Sequence, residues 1–451
     1  MTQHPPSPDA ENTPDPAFPI TGSVPIVEPG LTSGASEPSK PGTGPRGAMW
    51  LFIVLAGGVF AALTAPGQTA GLSPFTDPLI AELGIGRTDI SFSYLIATLA
   101  GASAMPLVGR ALDRYGARLA ILVIGLILGA VLIAVSFVTD ILGLTFSYVG
   151  LRMSGQGALT LASTTLVARL VIHRSGLALG ISGAMGAAGI SLAPVGIERL
   201  IAATDIATAF RIEAAVVIAI IVPLALLLPK DRPQTHTDTG TLIIPDVEAG
   251  YTQAQAVLTW MFWAFTMAGF TVGMMVTGLA FHLISILGAQ GLSSFEAASN
   301  FIPQTIAALL LTLGFGAIVD HTDPRVGLVV AMLSMGGAMV LLPFVSPGLS
   351  GIVFGLLLGS AQGALRGVEA AGFVRYFGRA HIGGIRGIST AVGLASTSLG
   401  PLYFALGLEW TGSYLAPSLW GALLPVGVIV LAVLAPVPKP SLAEKSGNES
   451  D

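Results

Sequence analysis

Three charged side chains stand inside long apolar stretches of this sequence: Arg152, Arg366 and Glu369. An ionised group at the middle of a bilayer costs about 2.5–3.5 kcal/mol on insertion scales, so a charge at that depth faces a polar cavity or a partner. Arg366 and Glu369 are three residues apart, which places them on one helix face within reach of each other. A guanidinium presents a planar fork of donors matched to a carboxylate. In one reading Arg366 binds the carboxylate of an organic anion and Glu369 is its resting partner or the proton carrier. In the other, a permanent Arg366–Glu369 pair stitches one helix to a neighbour. Arg152 is expected to donate hydrogen bonds to the backbone of the first apolar stretch, with direct substrate contact as the alternative. Uncharged groups complete the candidate cavity: Gln156, Gln362, Gln304 and Gln68. Gln68 follows Pro66-Gly67, where a local break frees backbone groups for a ligand. His282 sits near the outer end of its stretch and reads as a packing or solvated group or as part of the cavity wall.

The elements that must position these residues follow from composition. The chain has 451 residues, 53% hydrophobic and 10% charged, and a mean hydropathy of +0.79. Soluble domains carry roughly 25% charged residues, so this surface is built to face lipid. The 57 glycines fit close helix contact in a membrane. A net charge of −5 gives no footing for nucleic acid, and the lack of cysteine excludes disulfides, thiolate metal sites and cysteine nucleophiles. No phosphate-binding glycine loop, ATP-binding motif or metal-ligand cluster is present, so neither an enzyme nor a cofactor is expected.

A span needs roughly 20 mostly apolar residues. The sequence predicts spans near 48–72, 88–110, 117–138, 141–171, 175–200, 207–229, 255–287, 294–319, 325–346, 349–376, 383–408 and 413–436. Residues 1–46 hold 11 of the 30 prolines and are expected to be disordered, or else to form an extended arm for a partner. A polar linker at 230–254 divides a six-helix bundle at 47–229 from a second at 255–437, and 438–451 reads as a disordered tail. With the N-terminus inside, the cytoplasmic segments hold 15 basic residues, while the opposite face holds Arg87 and Arg199. That asymmetry places both termini in the cytoplasm.

The halves repeat. Gly109, Asp113 and Arg118 recur 207 residues later as Gly316, Asp320 and Arg325; Gln156-Gly157-Ala158-Leu159 recurs 206 later as Gln362-Gly363-Ala364-Leu365, and Arg169 as Arg375. Parallel halves related by an axis along the membrane normal imply a central cavity and alternating access by rocking. The first repeated loop runs Gly109-Arg110-Ala111-Leu112-Asp113-Arg114-Tyr115-Gly116-Ala117-Arg118. It resembles the G-x-x-x-D-R-x-G-x-R signature of the major facilitator superfamily, and the resemblance extends over 47–437. It implies an all-α membrane fold of twelve transmembrane helices in two pseudosymmetric bundles. It also implies a conformational latch formed by Gly109, Asp113, Arg114, Gly116 and Arg118, with a weaker copy at Asp320 and Arg325, where His321 replaces the second basic residue. The alternative role for these charges is cytoplasmic anchoring. Arg152-Met153-Ser154-Gly155-Gln156-Gly157 resembles a pattern of proton-linked members, and the Gly-Pro pair of the antiporter signature is missing after Gly183.

Two strings, 174–183 and 376–387, resemble the connections of monocarboxylate-porter and oxalate/formate-antiporter-like members. The eighth and eleventh spans lack the charges expected of oxalate exchangers. The resulting expectation is a monomeric secondary transporter of the bacterial inner membrane. Its partners are the lipid bilayer and a small-molecule substrate, a monocarboxylate-like anion moved by proton coupling or exchange. Efflux of drug-like or cationic compounds, with Glu369 as the cation partner, and a non-transporting sensor or scaffold are the alternatives.

Overall fold

A computed structural model describes residues 47–171, 174–229, 250–319, 321–378 and 382–438. The expected disordered tails, residues 230–249 of the linker and Asp320 lie outside the described residues, as does the side chain of Asp113. All regular structure among the described residues is helical. Eleven helices are long and apolar enough to cross a membrane. A twelfth crossing, at the fourth position, is divided into three shorter pieces.

We number the crossings α1 (Ala48–Leu83), α2 (Arg87–Tyr115), α3 (Ala117–Val135), α4 (Ile141–Leu151, Arg152–Leu159 and Thr160–Leu170), α5 (Ser175–Ala203), α6 (Ile206–Leu227), α7 (Trp260–Gly288), α8 (Ser294–Ile318), α9 (Pro324–Phe344), α10 (Leu349–Phe377), α11 (Ile382–Thr411) and α12 (Leu415–Leu434). Each predicted span has its helix. The largest boundary difference is α1, which runs to Leu83 where the hydropathy pattern suggested 72. The helix restarts after a break instead of ending, so an apolar window sees only its first part.

The ends are set by local chemistry. Asp140, Asp205, Thr259 and Ser293 cap the N-termini of α4, α6, α7 and α8 by accepting from a backbone N–H of the first turn. Gly116 takes a φ of 82° between α2 and α3, a conformation that side-chain-bearing residues avoid. Large apolar side chains such as Phe146, Leu313 and Leu227 point outward, as a lipid-facing surface requires.

The helices form two groups, each with its own core. One apolar cluster draws on α1–α6 around Phe60, Phe75, Tyr94 and Phe210. The other draws on α7–α12 around Phe262, Phe265, Phe354 and Phe373. Phe281 of α7 crosses over and packs in the first cluster. The sequence repeat has a physical counterpart. Arg169 donates to Leu112 O at 3.0 Å, and its equivalent Arg375 donates to Val319 O at 3.4 Å. Arg118 donates to Leu226 O at the end of α6, and Arg325 donates to Ala435 O at the end of α12. In both halves a guanidinium, Arg118 or Arg325, bonds a carbonyl at the end of the last helix of its bundle, where the helix itself supplies no donor.

Candidate functional site

The site is built around a break in α1. Regular helix stops at Ala62, a single tight turn covers Ala65–Gly67, and Gln68 is extended at φ −82°, ψ 152° before helix resumes at Thr69. Pro66 has no N–H to continue the ladder. Gly67 lies so close to α4 that a Cβ there would sit 2.3 Å from Leu151 O and 2.7 Å from Gln156 N. The reciprocal Cβ on Gly155 would sit 2.8 Å from Gly67 Cα. The two backbones therefore touch, and the touching stretch of α4, Arg152–Leu159, is wound as a π-helix. Such segments insert an extra residue per turn and recur at functional sites.

Arg152 locks this joint. It donates from Nη1 to Gly67 O at 3.2 Å and to Thr69 Oγ1 at 3.3 Å, and from Nε to Thr98 Oγ1 at 3.2 Å. Its guanidinium lies 4.6 Å from the centre of the Tyr94 ring. Thr69 and Tyr94 share a hydrogen bond of 2.6 Å. Gln68 donates to Thr64 Oγ1 at 3.1 Å and more weakly to Thr160 Oγ1 at 3.4 Å.

In the second half, α10 lies against α8 through glycines spaced by four. A Cβ on Gly359 would meet Gln304 O at 2.0 Å, and one on Gly363 would meet Ala308 O at 2.4 Å. This small-residue stripe lets the two backbones approach. It sets Gln304, Thr305 and Thr312 of α8 beside Gln362 and Arg366 of α10 around one cavity.

The cavity has a volume of about 420 Å³ and lies between the halves. From α1 it takes Gln68 and Thr69, from α5 Ala187 and Ser191, from α7 Val276 and Thr277, and from α8 and α10 the residues just named. Arg366 is the one ionisable side chain in that lining. Although Arg366 is deep in the protein, the cavity leaves it exposed. Among the described residues it makes no hydrogen bond or ion pair. A fork of donors in a wall of amides, hydroxyls and apolar side chains, with no carboxylate in the lining, is chemically suited to a small anion that has an apolar part and accepts hydrogen bonds.

Of the residues singled out from sequence, Gln68, Gln304, Gln362 and Arg366 meet in this wall. Gln156 and Arg152 do not: both belong to the π-helical segment, and Arg152 is 2% exposed behind Thr69. Glu369 also stands outside the lining, and the expected Arg366–Glu369 ion pair is not formed. The ion pair among the described residues is Arg87–Asp77 at 2.5 Å. Seven residues on from Gln362, Glu369 keeps nearly the same azimuth but lies about 10 Å further along the helix axis, past the lining and beside α11, where Arg386 is its stronger electrostatic neighbour. Gln362, four residues before Arg366, stays on the cavity face. Sequence reasoning missed Thr69, Ser191, Thr277, Thr305 and Thr312. The α8 members lie on a stripe at 301, 304, 305, 308 and 312, a helical period that was there to be read. It also missed Glu213 in α6, whose Oε2 is buried without a hydrogen-bond partner.

The expected latch loop lies at the α2–α3 turn. There Arg114 stacks on Tyr115 at 5.4 Å, and Arg118, like Arg325, bonds within its own half. Among the described residues, the side-chain contacts that join the halves gather at the opposite face. Ser191 donates to Phe301 O at 2.7 Å, and Thr76 donates to Phe281 O at 3.4 Å. Thr88 donates to Glu409 Oε2 at 2.5 Å, Arg87 reaches His282 Nδ1 at 3.3 Å, and Arg199 lies over the Phe295 ring at 4.5 Å. The cavity is sealed on that face, which we call the closed face.

Comparison with known proteins agrees with this architecture. The sequence profile of the Major Facilitator Superfamily matches residues 58–401. No match is found among curated protein sequences. Among solved structures, the chain is similar to the nucleoside transporter NupG, at a TM-score of 0.70 and 14% identity, over 84% of this chain and 99% of that one. It is also similar to a bacterial homologue of the human lysosomal transporter Spinster in an inward-facing, unoccupied conformation. That match has a TM-score of 0.65 and 15% identity, and covers 86% of this chain and 96% of the homologue.

Proposed function

The chain belongs to the Major Facilitator Superfamily, and we propose that this transporter carries a small monocarboxylate-like anion across the bacterial inner membrane by alternating access. The observation behind the substrate class is Arg366, a guanidinium without a hydrogen bond or ion pair among the described residues and the one ionisable group in a wall shared by amides, hydroxyls and apolar side chains. Cation efflux loses its support, because the carboxylate assigned to it, Glu369, does not line the cavity.

The direction follows from the basic residues. The face bearing Arg110, Arg114 and Arg118 is cytoplasmic by the positive-inside rule, so the closed face is periplasmic and the cavity opens inward. The latch is made of the loop residues Gly109, Asp113, Arg114, Gly116 and Arg118, with Asp320 and Arg325 of the second copy, and engages when the cavity turns outward; in the inward state Arg118 and Arg325 bond within their own halves. The bundles 47–229 and 255–437 are the rocking units, and substrate moves by proton coupling or exchange.

The test is the purified chain in liposomes with an imposed pH gradient and labelled lactate or pyruvate. Saturable, gradient-dependent uptake is the expected result. Binding of carboxylates without flux would point to a sensor, and dye accumulation in cells on gene deletion, without carboxylate flux, to efflux; either result overturns the proposal.

A further inference from the structure

His282 of α7 is buried at the closed face, six residues before the helix ends at Gly288 and so about 9 Å from that end. Two of its three hydrogen bonds cross between the halves, and the third ties it to α11 of its own half. Nδ1 lies 3.3 Å from Arg87 Nη1 of α2. Nε2 lies 3.2 Å from Ser91 Oγ of α2 and 3.0 Å from Pro401 O of α11. The chemistry of these partners fixes the protons. A guanidinium has no lone pair to offer, so Nδ1 is the acceptor. A carbonyl has no hydrogen, so Nε2 carries the N–H. Ser91 spends its own hydroxyl proton on Arg87 O at 2.8 Å and therefore turns a lone pair toward the ring. The ring is neutral, in one tautomer, with every polar position used.

We propose that His282 is a proton-binding site that unlocks the closed face. A proton taken up at Nδ1 lands on the lone pair that holds Arg87. Both groups are then cations and donors, so of the two bonds from the ring to α2 the one to Arg87 is lost and repulsion replaces it, while the Nε2 contact with Ser91 remains. Protonation therefore disfavours the closed arrangement.

The charged and titratable surroundings offer the cation no carboxylate of its own. Asp77 of α1 is held by Arg87 at 2.5 Å. Glu409 of α11 accepts from Thr88. The Tyr414 hydroxyl is paired with Ser285 of α7, and Tyr94 faces Phe281. A proton arriving from the periplasm would thus favour the outward-open state, which makes the proton a coupling ion for this transporter. The step moves one proton and changes no covalent bond. It is independent of which solute the cavity binds.

The chain has no cysteine, so a pair of spin labels can be placed without background. Ala203→Cys in α5 and Ala289→Cys after α7 are exposed positions on the closed face, one in each half. In liposomes without substrate, pulsed electron-electron resonance should show the separated population growing about tenfold as pH falls from about 8 to about 5. That is the change expected when two states differ by one unit in proton affinity. His282→Gln keeps an acceptor for Arg87 and a donor for Pro401 O but binds no proton, and should hold the short distance throughout. A distance distribution that ignores pH overturns the proposal, as does a pH response that survives in His282→Gln. The unmutated ring supplies a second readout. Its 15N resonances should change from the Nε2–H tautomer to imidazolium over the interval in which the halves part, and a ring that stays neutral while they part refutes the assignment.

Discussion

Replacing Arg366 by lysine separates charge from geometry at the centre of the cavity. The substitution keeps one positive charge on a flexible stem but loses the planar fork. A hydrogen bond to a charged group contributes about 1.5–3 kcal/mol. If a carboxylate takes two parallel bonds from Arg366 and one from lysine, the difference is one such bond, or roughly a 10- to 150-fold loss of affinity. Arg366 makes no bond to protein among the described residues, so the exchange removes nothing from the fold, and the melting temperature of the detergent-purified chain should not move. Arg366→Gln removes the charge as well and should abolish the thermal shift produced by a carboxylate. The assay is ligand-induced thermal shift over a concentration series, with counterflow of labelled substrate as a functional check. A lysine variant that binds carboxylates within about twofold of the parent would show that the fork is not the anion site. A large drop in melting temperature would show that Arg366 holds the fold instead.

Two further predictions concern the scaffold. Gly155→Ala drives a Cβ to 2.8 Å from Gly67 Cα, and backbone atoms cannot step aside as a side-chain tip can. Overpacking of this kind costs about 1–3 kcal/mol, so the variant should melt lower and transport poorly, whereas Gly180→Ala, with open space around it, should be neutral or slightly stabilising. At the N-terminus of α6, hydrogen bonds from the Thr208 hydroxyl and backbone N–H hold the Asp205 carboxyl below the usual carboxylate range. A depressed folded-state value means its contribution is complete above the unfolded value of about 3.9 and is lost as pH falls toward the folded one. Asp205→Asn should flatten the loss of stability below about pH 4, and an unchanged acid limb in melting experiments would deny the carboxylate that role.

The architecture was legible because lipid imposes coarse rules. Twelve apolar stretches, a six-and-six division and an offset of 206 or 207 residues were all on the surface of the sequence. The repeat paired Arg169 with Arg375, and the structure adds that they bond to equivalent carbonyls, Leu112 O and Val319 O. The break at Pro66-Gly67 was legible from two residues. The cavity wall was only half legible. Gln362 and Arg366 declared themselves by charge and repeat position, but Glu369 misled, because sharing a helix face on paper ignores depth along the axis, which carries it past the lining. Arg87 and Arg199 illustrate the opposite gap. Sequence marked them as the two basic residues on the sparse face, yet only three-dimensional packing shows that both reach across the seam, to His282 and Phe295. Their partners come from distant parts of the chain, and no local pattern announces such a meeting.

The interruption of α1 has an electrical consequence. Helix resumes at Thr69 with no side chain capping its first turn, and Gln68, Thr69 and Ala70 all border the cavity. An uncapped amino end carries a partial positive charge, about half an elementary unit. For the proposed anionic cargo this adds a second attraction, from the amide end of α1 on one bundle, to that of Arg366 on the other. Neither would be complete unless both bundles closed on the same guest, and such a cargo would act as the mortar between them.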